Sequence, residues 1–232
     1  MIAVTFALPT ESSEFLRRLR NKSRVDRNGI VAIHGMIENR AVEVLHTGVG
    51  AKVCRERIMK FLQSQQFEFL ISAGFAGALN DQLQVGDLLV AKNFSTVDLK
   101  QAQSSLSNVP IHAADLLTVP TLIDSTEERS KIARTSGAAA VDMETEFIAR
   151  ACAAHGIPLL ALRVITDTPT QPFPAPPIIL FDTQQQRTRI AGLAKFFLGH
   201  PKRIPGLIQF AGKIARARKI LASALTAIVR SR

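Results

Sequence analysis

Residues 140–167 read AVDMETEFIARACAAHGIPLLALRVITD, and the order of signals in this stretch decides the fold. Between Val141 and His155 the apolar residues Phe147, Ile148, Ala151 and Cys152 recur at helical spacing, which predicts a helix with one inner face. Gly156 stops it and Pro158 follows, as at an ordinary helix exit. Residues 159–165 are almost wholly apolar, as a central strand covered on both faces requires. A helix feeding directly into a buried strand is half of an α/β unit. The strand gives way to Thr166-Asp167, so a carboxylate is delivered at a strand end.

The same alternation extends in both directions. Residues 2–7 read as a buried strand ending at Pro9-Thr10, and residues 12–19 as a helix with Phe15, Leu16 and Leu19 on one face. Residues 30–34 and 41–47 alternate around the polar turn Glu38-Asn39-Arg40 and predict a hairpin. Gly48-Val49-Gly50 precedes a helical stretch, 51–63. A second buried strand, 67–73, ends in Gly74-Phe75-Ala76-Gly77, and 86–91 is one more. Residues 92–110 are polar and read as a long loop, 114–119 as a weak strand and 127–134 as a short helix. Residues 169–177 hold five prolines and exclude regular structure, and from about residue 184 the chain turns helical and basic. No internal repeat is visible. The prediction is a single three-layer α/β domain over 1–182, with a central mixed sheet flanked by helices. A basic helical extension, 183–232, is packed on it or attached to it.

Bulk composition narrows the function. A chain of 232 residues with 47% hydrophobic and 21% charged residues has a real core. Tyr and Trp are absent, so Phe must supply any aromatic surface for a ligand. Cys54 and Cys152 lack metal-ligand spacing and read as free thiols in a reducing compartment. The start, MIAVTFALPTE, does not read as a signal peptide, and no run of about 18 uncharged apolar residues predicts a spanning helix. The expected location is cytoplasmic. The net charge of +10 has a local origin. Eleven of the 29 basic residues and none of the 19 acidic ones lie beyond Asp182, so the first 182 residues are close to neutral.

Three acids sit at junctions of predicted elements: Glu11 after the first strand, Glu144 with Asp142 at the start of the 141–155 helix, and Asp167 at the end of its strand. Spacing alone leaves two readings for each. Glu11 and Glu144 suit a helix N-terminus, Asp142 an N-cap and Asp167 a turn before Pro169. Equally, carboxylates at the strand ends of an α/β sheet are where such a fold does chemistry. Gly48-Val49-Gly50 and Gly74-Phe75-Ala76-Gly77 are likewise either turn formers or close-approach surfaces for a ligand.

The stretches ALPTE (7–11), HTGVG (46–50), ISAGFAGALNDQLQVGDLLVA (71–91) and AVDMETEFIARACAAHGIPLLALRVITD (140–167) together resemble the nucleoside phosphorylase and nucleosidase superfamily. The likeness is closest to its methylthioadenosine/S-adenosylhomocysteine nucleosidase branch, and it covers roughly residues 1–167. It implies cleavage of the N-glycosidic bond of an adenosine-like nucleoside, with no metal or organic cofactor, by a homodimer or larger homo-oligomer. Asp167 matches the acid that protonates the purine at N7. Glu11 matches the residue that activates the attacking water. Met143 and Glu144 match the grip on the ribose, and Arg163 a substrate-site residue that orients the carboxylates. Gly74, Phe75, Ala76 and Gly77 would line the base pocket, and Ile123 would contact adenine through its backbone. The chemistry suits these residue types, because the sugar becomes oxocarbenium-like and the base leaves only when protonated.

The sequence also departs from that pattern. Phe75 stands where a small Ser or Thr is usual, which bears on the nucleophile. No Arg lies in the Gly-rich stretches to hold phosphate, the nearest being Arg55, so water is favoured over phosphorolysis. The proline-rich 169–177 replaces the usual lid segment, so the 5′ side of the substrate is expected to differ. Residues 204–229 can be drawn as a helix with Leu207, Ala211, Ile214, Leu221, Leu225 and Ile228 on one face and Lys213, Arg216 and Lys219 on the other. Such a helix either packs on the core or lies on an anionic membrane surface. Its few aromatics argue against nucleic acid. The Pro-rich loop and the basic tail with Gly199-His200-Pro201-Lys202-Arg203 resemble the hopanoid-associated nucleosidases, which implies adenosylhopane as substrate and peripheral contact at the inner membrane surface. The competing readings are a phosphorolytic enzyme of the same fold, a non-catalytic nucleoside-binding or membrane-surface protein, and a basic nucleic-acid binder.

Overall fold

The computed structural model describes residues 1–98, 110–174, 181–182, 187–188 and 190–231. In chain order its main elements are β1 (Ile2–Phe6), α1 (Pro9–Arg18), β2 (Arg20–Arg27), β3 (Ile30–Ile37), β4 (Arg40–His46), α2 (Ala51–Gln63) and β5 (Phe69–Ala78). Then come β6 (Leu88–Ala91), β7 (Ile111–Ala114), β8 (Leu116–Thr118), α3 (Thr126–Ser136), β9 (Ala140–Asp142), α4 (Thr145–Ala154) and β10 (Leu159–Asp167). The helices α5 (Ile190–Gly199) and α6 (Ile204–Arg230) follow.

The strands form one mixed sheet in the order β2-β3-β4-β1-β5-β10-β6-β7, with β9 beside the end of β5 and β8 beside β9. Strands β4, β1, β5 and β10 run parallel to one another, so the carboxyl ends of β1, β5 and β10 open on one edge. Consecutive residues of these strands face opposite sides. Val4, Ile71 and Leu160 pack toward α1 and α6 with Phe15, Leu221 and Leu225. Their neighbours Ala3, Leu70 and Leu159 pack toward α2 and α4 with Ile58, Phe61 and Ile148. Helices on both faces of the buried central strands give the three-layer α/β architecture expected.

One local expectation needs correction. The predicted helix over 141–155 is in fact a short strand, β9, then a break at Met143-Glu144, then α4 from Thr145. Asp142 therefore ends a strand instead of starting a helix. Strand β2 adds an element that the sequence pattern did not announce, because RNKSRVDR is polar and mostly exposed, as an edge strand is. Its turn, Asn28-Gly29, takes the positive φ angles of 54° and 78° that a tight hairpin demands. Part of the predicted 92–110 loop lies outside the described residues, as do 175–177 of the proline-rich segment.

The tail helix α6 has two unlike halves. From Ala217 to Val229 it is built into the core, with Leu221, Leu225 and Ile228 almost completely buried. Arg18 ties α1 to it by donating to Ser223 Oγ at 2.8 Å. The first half is open: Ile208 is 67% exposed, and Leu198 of α5 is 83% exposed. No helix among the described residues is long and apolar enough to cross a membrane.

Candidate active site

Glu11 sits in the first turn of α1, directly beyond the end of β1. Its Oε2 accepts hydrogen bonds from the backbone N–H groups of Ala7 (2.9 Å) and Leu8 (3.2 Å), the turn that joins strand to helix. The sequence thus folds back on its own carboxylate, and Pro9 fits there because the first helical turn needs no N–H from it. Ser12 Oγ lies 2.7 Å from His46 Nε2, which pins the same turn to the end of β4. Burial pushes the Glu11 pKa above its ordinary value, against the pull of the Leu8 and Ala7 amides and the Arg163 charge. The strand β5 passes close behind: a Cβ at Gly74 would lie 3.6–3.7 Å from the Glu11 oxygens, in ordinary contact.

Glu144 occupies the N-cap of α4 but its side chain does not cap the helix. Its Oε1 accepts from the N–H of Gly50 at 3.0 Å, at the start of α2. Gly50 has φ of +89°, a conformation that favours glycine. Burial, and then the negative charge of Asp142, push the Glu144 pKa up to about 8. Asp142 accepts from Thr145 N (3.1 Å) and from Thr118 Oγ1 (2.8 Å). Arg163 completes that group: Nε and Nη2 donate to Asp142 at 3.1 and 2.9 Å, and Nη1 to the Ser72 carbonyl at 2.7 Å. Arg163 is a buried ion-pair partner behind the carboxylates, and it acts on Glu11 and Glu144 through its charge alone.

Asp167 is placed by an irregularity in β10. Ile165 pairs with Ala76, but the next pair is Asp167 with Gly77, so Thr166 is an extra residue in the ladder. A one-residue slip turns a strand side chain to the other face, and this bulge aims Asp167 into the site. Its Oδ2 accepts from Arg129 Nη2 at 2.5 Å and its Oδ1 from Thr166 Oγ1 at 3.0 Å. Burial raises its pKa, and the Arg129 charge and hydrogen bond only partly offset that. Arg129 comes from α3 and is 2% exposed. It also donates to the Ala78 and Ile123 carbonyls, both at 2.8 Å, and so ties the Ile123 loop to β5 and to the acid. Gly77 has no room for a side chain, because a Cβ there would lie 2.8 Å from Asp167 Oδ2.

Glu11, Phe75, Ala76, Gly77, Met143, Glu144 and Asp167 line one cavity of about 300 Å³. Ile123 lines a small recess beside it, with Asp167, Arg129 and Met143. Gly74 and Arg163 do not line the cavity wall; the first backs Glu11 and the second holds Asp142. Sequence reasoning passed over Arg129, for which a single Arg in an amphipathic helix offers no signal. It also passed over the cover of the cavity. Phe173 of the proline-rich segment and Phe210 of α6 meet edge-on at 5.6 Å, and Ile214 and Arg218 extend that wall. Arg55 lies over the Phe147 ring at 4.5 Å, outside the cavity.

A parallel-stranded α/β sheet with buried carboxyls at its carboxyl edge, closed over by a helix from the tail, defines the class of this protein. The profile of the phosphorylase superfamily matches residues 1–107 and 95–198, and the chain belongs to that superfamily. A 5′-methylthioadenosine/S-adenosylhomocysteine nucleosidase of Buchnera aphidicola is 25% identical over 196 residues, covering 72% of this chain and 78% of that protein. Futalosine hydrolase of Helicobacter pylori shares the fold at a TM-score of 0.76 with 16% identity, covering all of this chain and 97% of that one. The Streptococcus pneumoniae MTA/SAH nucleosidase bound to 8-aminoadenine aligns at 0.74 with 19% identity, over 100% and 99% of the two chains.

Proposed function

We propose that this chain cleaves the N-glycosidic bond of an adenosine-like nucleoside with water and releases adenine. The observation that carries this reading is the single cavity that holds Asp167 beside the Ile123 recess and Glu11 and Glu144 along the rest of its wall. The purine fits against Gly77 and the Ile123 backbone, with its N7 toward Asp167. Arg129 occupies Oδ2, so the acidic proton resides on Oδ1. Thr166 releases that oxygen by turning its hydroxyl to the Ala76 carbonyl, 3.4 Å away. The C1′–N9 bond breaks with its electron pair going to the base, as the Asp167 proton moves to N7. Water held by Glu11 adds its oxygen to C1′ and gives up a proton to that carboxylate. Glu144 and Met143 hold the ribose, and the Glu11 carboxylate beside it favours the cationic sugar of the transition state.

Water is preferred to phosphate because the lining around Glu11 is Leu8, Val49 and Phe75, without the cluster of cations that a phosphate dianion needs. The test is release of free adenine from 5′-methylthioadenosine and related nucleosides with and without inorganic phosphate. Strict phosphate dependence would overturn hydrolysis. Absence of adenine from every adenosyl substrate would overturn the enzyme reading in favour of a binding protein. Sedimentation of the same preparation tests the homo-oligomer that the superfamily likeness implies.

A finer reading, adenosylhopane as substrate with the tail on an anionic membrane, draws support from the stretch that joins α5 to α6. Leu198 and Ile208 are exposed, and so are Lys202 and Arg203 between them in the chain. Apolar side chains flanked by cations suit a lipid interface. Co-sedimentation with phosphatidylglycerol vesicles, lost in a Leu198→Ser/Ile208→Ser variant, is the expected result; no vesicle binding refutes it.

A further inference from the structure

We infer that Arg218 is a specificity-determining residue that receives an anionic group, a carboxylate or a phosphate, carried on the 5′ substituent of the substrate. The inference rests on the nucleosidase reading of the cavity and adds the chemical class of the substrate's outer end.

Arg218 is fixed where a ligand must pass. Phe210, Ile214 and Arg218 lie four residues apart along α6, on one face, and all three line the cavity. One turn further on, Leu221, Leu225 and Ile228 are buried in the core, so the backbone that carries Arg218 is held. Its neighbours Arg216 and Lys219 are exposed and point away. Among the described residues of the tail, Arg218 is the cation that lines this cavity.

Among the described residues that cation has no ion-pair partner. The Nε of Arg218 is buried and makes no hydrogen bond. Among the described residues no carboxylate lies within ion-pairing distance of its guanidinium. The other two arginines near the site are matched, Arg129 to Asp167 and Arg163 to Asp142. Nor do the cavity carboxyls answer it: Glu11 is held by the Ala7 and Leu8 amides and Glu144 by the Gly50 amide. Charged side chains near a protein interior are rarely left without a counter-charge, so a guanidinium that lines a cavity with no carboxylate beside it marks a place kept for an anionic ligand group. A guanidinium presents two parallel N–H groups that match a carboxylate or phosphate. In the proposed pose Asp167 faces the purine and Glu11 and Glu144 the ribose, which leaves the 5′ substituent to run along α6 to Arg218. A hydrocarbon substituent would cover the guanidinium without satisfying it. Arg218 thus selects an acid-bearing substituent over an alkyl one, which sets this inference against adenosylhopane as the substrate.

The test compares two probes of similar size, 5′-methylthioadenosine and 5′-(carboxymethylthio)adenosine, on the full chain, by adenine release and by calorimetric binding. The wild type should favour the acidic probe in kcat/KM by about tenfold or more, the scale of one charge-assisted pair. Arg218→Gln should erase that preference through KM, and Arg218→Lys should keep part of it. An unchanged preference in Arg218→Gln, in protein whose thermal melt matches wild type, would overturn the inference. If neither probe releases adenine, binding decides. A preference for the acidic probe that Arg218→Gln loses upholds the role of Arg218 while the hydrolase reading falls, and equal binding by the wild type overturns the inference. If turnover of the neutral probe requires inorganic phosphate and Arg218→Gln abolishes the response to it, the anion is free phosphate and the assignment to the 5′ substituent is wrong.

Discussion

Glu11 and Asp167 are both buried carboxyls at the ends of parallel strands, and they are held by opposite means. Glu11 accepts from the amides of Ala7 and Leu8, four and three residues away in its own turn. Asp167 accepts from a full positive charge, Arg129, carried by a helix 38 residues distant. Both kinds of donor favour the ionised form, the amides as neutral dipoles fixed by the local backbone and Arg129 as a full charge brought in by another element. In both places burial outweighs them, and it must do so for Asp167 to serve as an acid. The water end of the cavity is thus a local structure, and the acid end is a tertiary one.

Substitutions can break this contrast in a graded series, read by adenine release on a common substrate. Asp167→Asn removes the proton donor and should lower kcat by about 10³-fold, within the range for general acids. Arg129→Met should lower kcat by about 10²-fold and cost about 3–5 kcal/mol of stability, because a buried carboxyl loses its partner. The same variant should move the alkaline limb of the kcat profile to higher pH, since Arg129 pulls the Asp167 pKa down. Glu11→Gln should also lose about 10²-fold in kcat, the lower part of the range for acid–base groups. Its melting temperature should stay near wild type, because the amide oxygen can still accept from Ala7 and Leu8. An equal loss of stability in Glu11→Gln and Arg129→Met would erase the distinction.

The glycines sharpen it further. Gly77→Ala should displace the Asp167–Arg129 pair and reduce kcat by about tenfold, whereas Gly74→Ala adds only an ordinary contact to Glu11 and should stay within about twofold. The smallest effect is one of slope. Glu144 binds its proton more tightly folded than unfolded, so folding takes up protons between pH 4.5 and about 8. Stability should therefore fall as pH rises through that window. Glu144→Gln should flatten the dependence of melting temperature on pH there, and an unaltered slope would show that Glu144 does not titrate as stated.

The same contrast explains what the sequence could disclose. The parallel core was legible because β1, β5 and β10 are continuous apolar runs, and Glu11 because ALPTE contains its own support. Asp167 was legible as a strand-end acid, but the bulge at Thr166 that aims it leaves no compositional trace. Arg129 was invisible, since nothing in TEERSKIARTS separates one buried arginine from its solvated neighbours. The break between β9 and α4 was hidden because Val141-Asp142-Met143-Glu144 continues the helical periodicity that follows it. Edge strand β2 gave no apolar alternation, although Asn28-Gly29 was a turn signal. In the tail, the pattern of Leu221, Leu225 and Ile228 foretold a buried face. The same pattern carried through Leu207 and Ala211, which the structure leaves only partly covered or exposed.

One strand touches both ends of the cavity. Gly74 lies against Glu11 and Gly77 against Asp167, so three steps of β5, at about 3.3 Å each, set roughly 10 Å between the backbones that face the two carboxyls. The gauge is covalent. Exchanging Phe75 or Ala76 alters what the ligand touches while the gauge keeps its length. Inserting or deleting one residue between them would change the length itself and would also reverse the facing of every residue beyond it. For this site the count of residues in β5 is a functional quantity in its own right, separate from their identities.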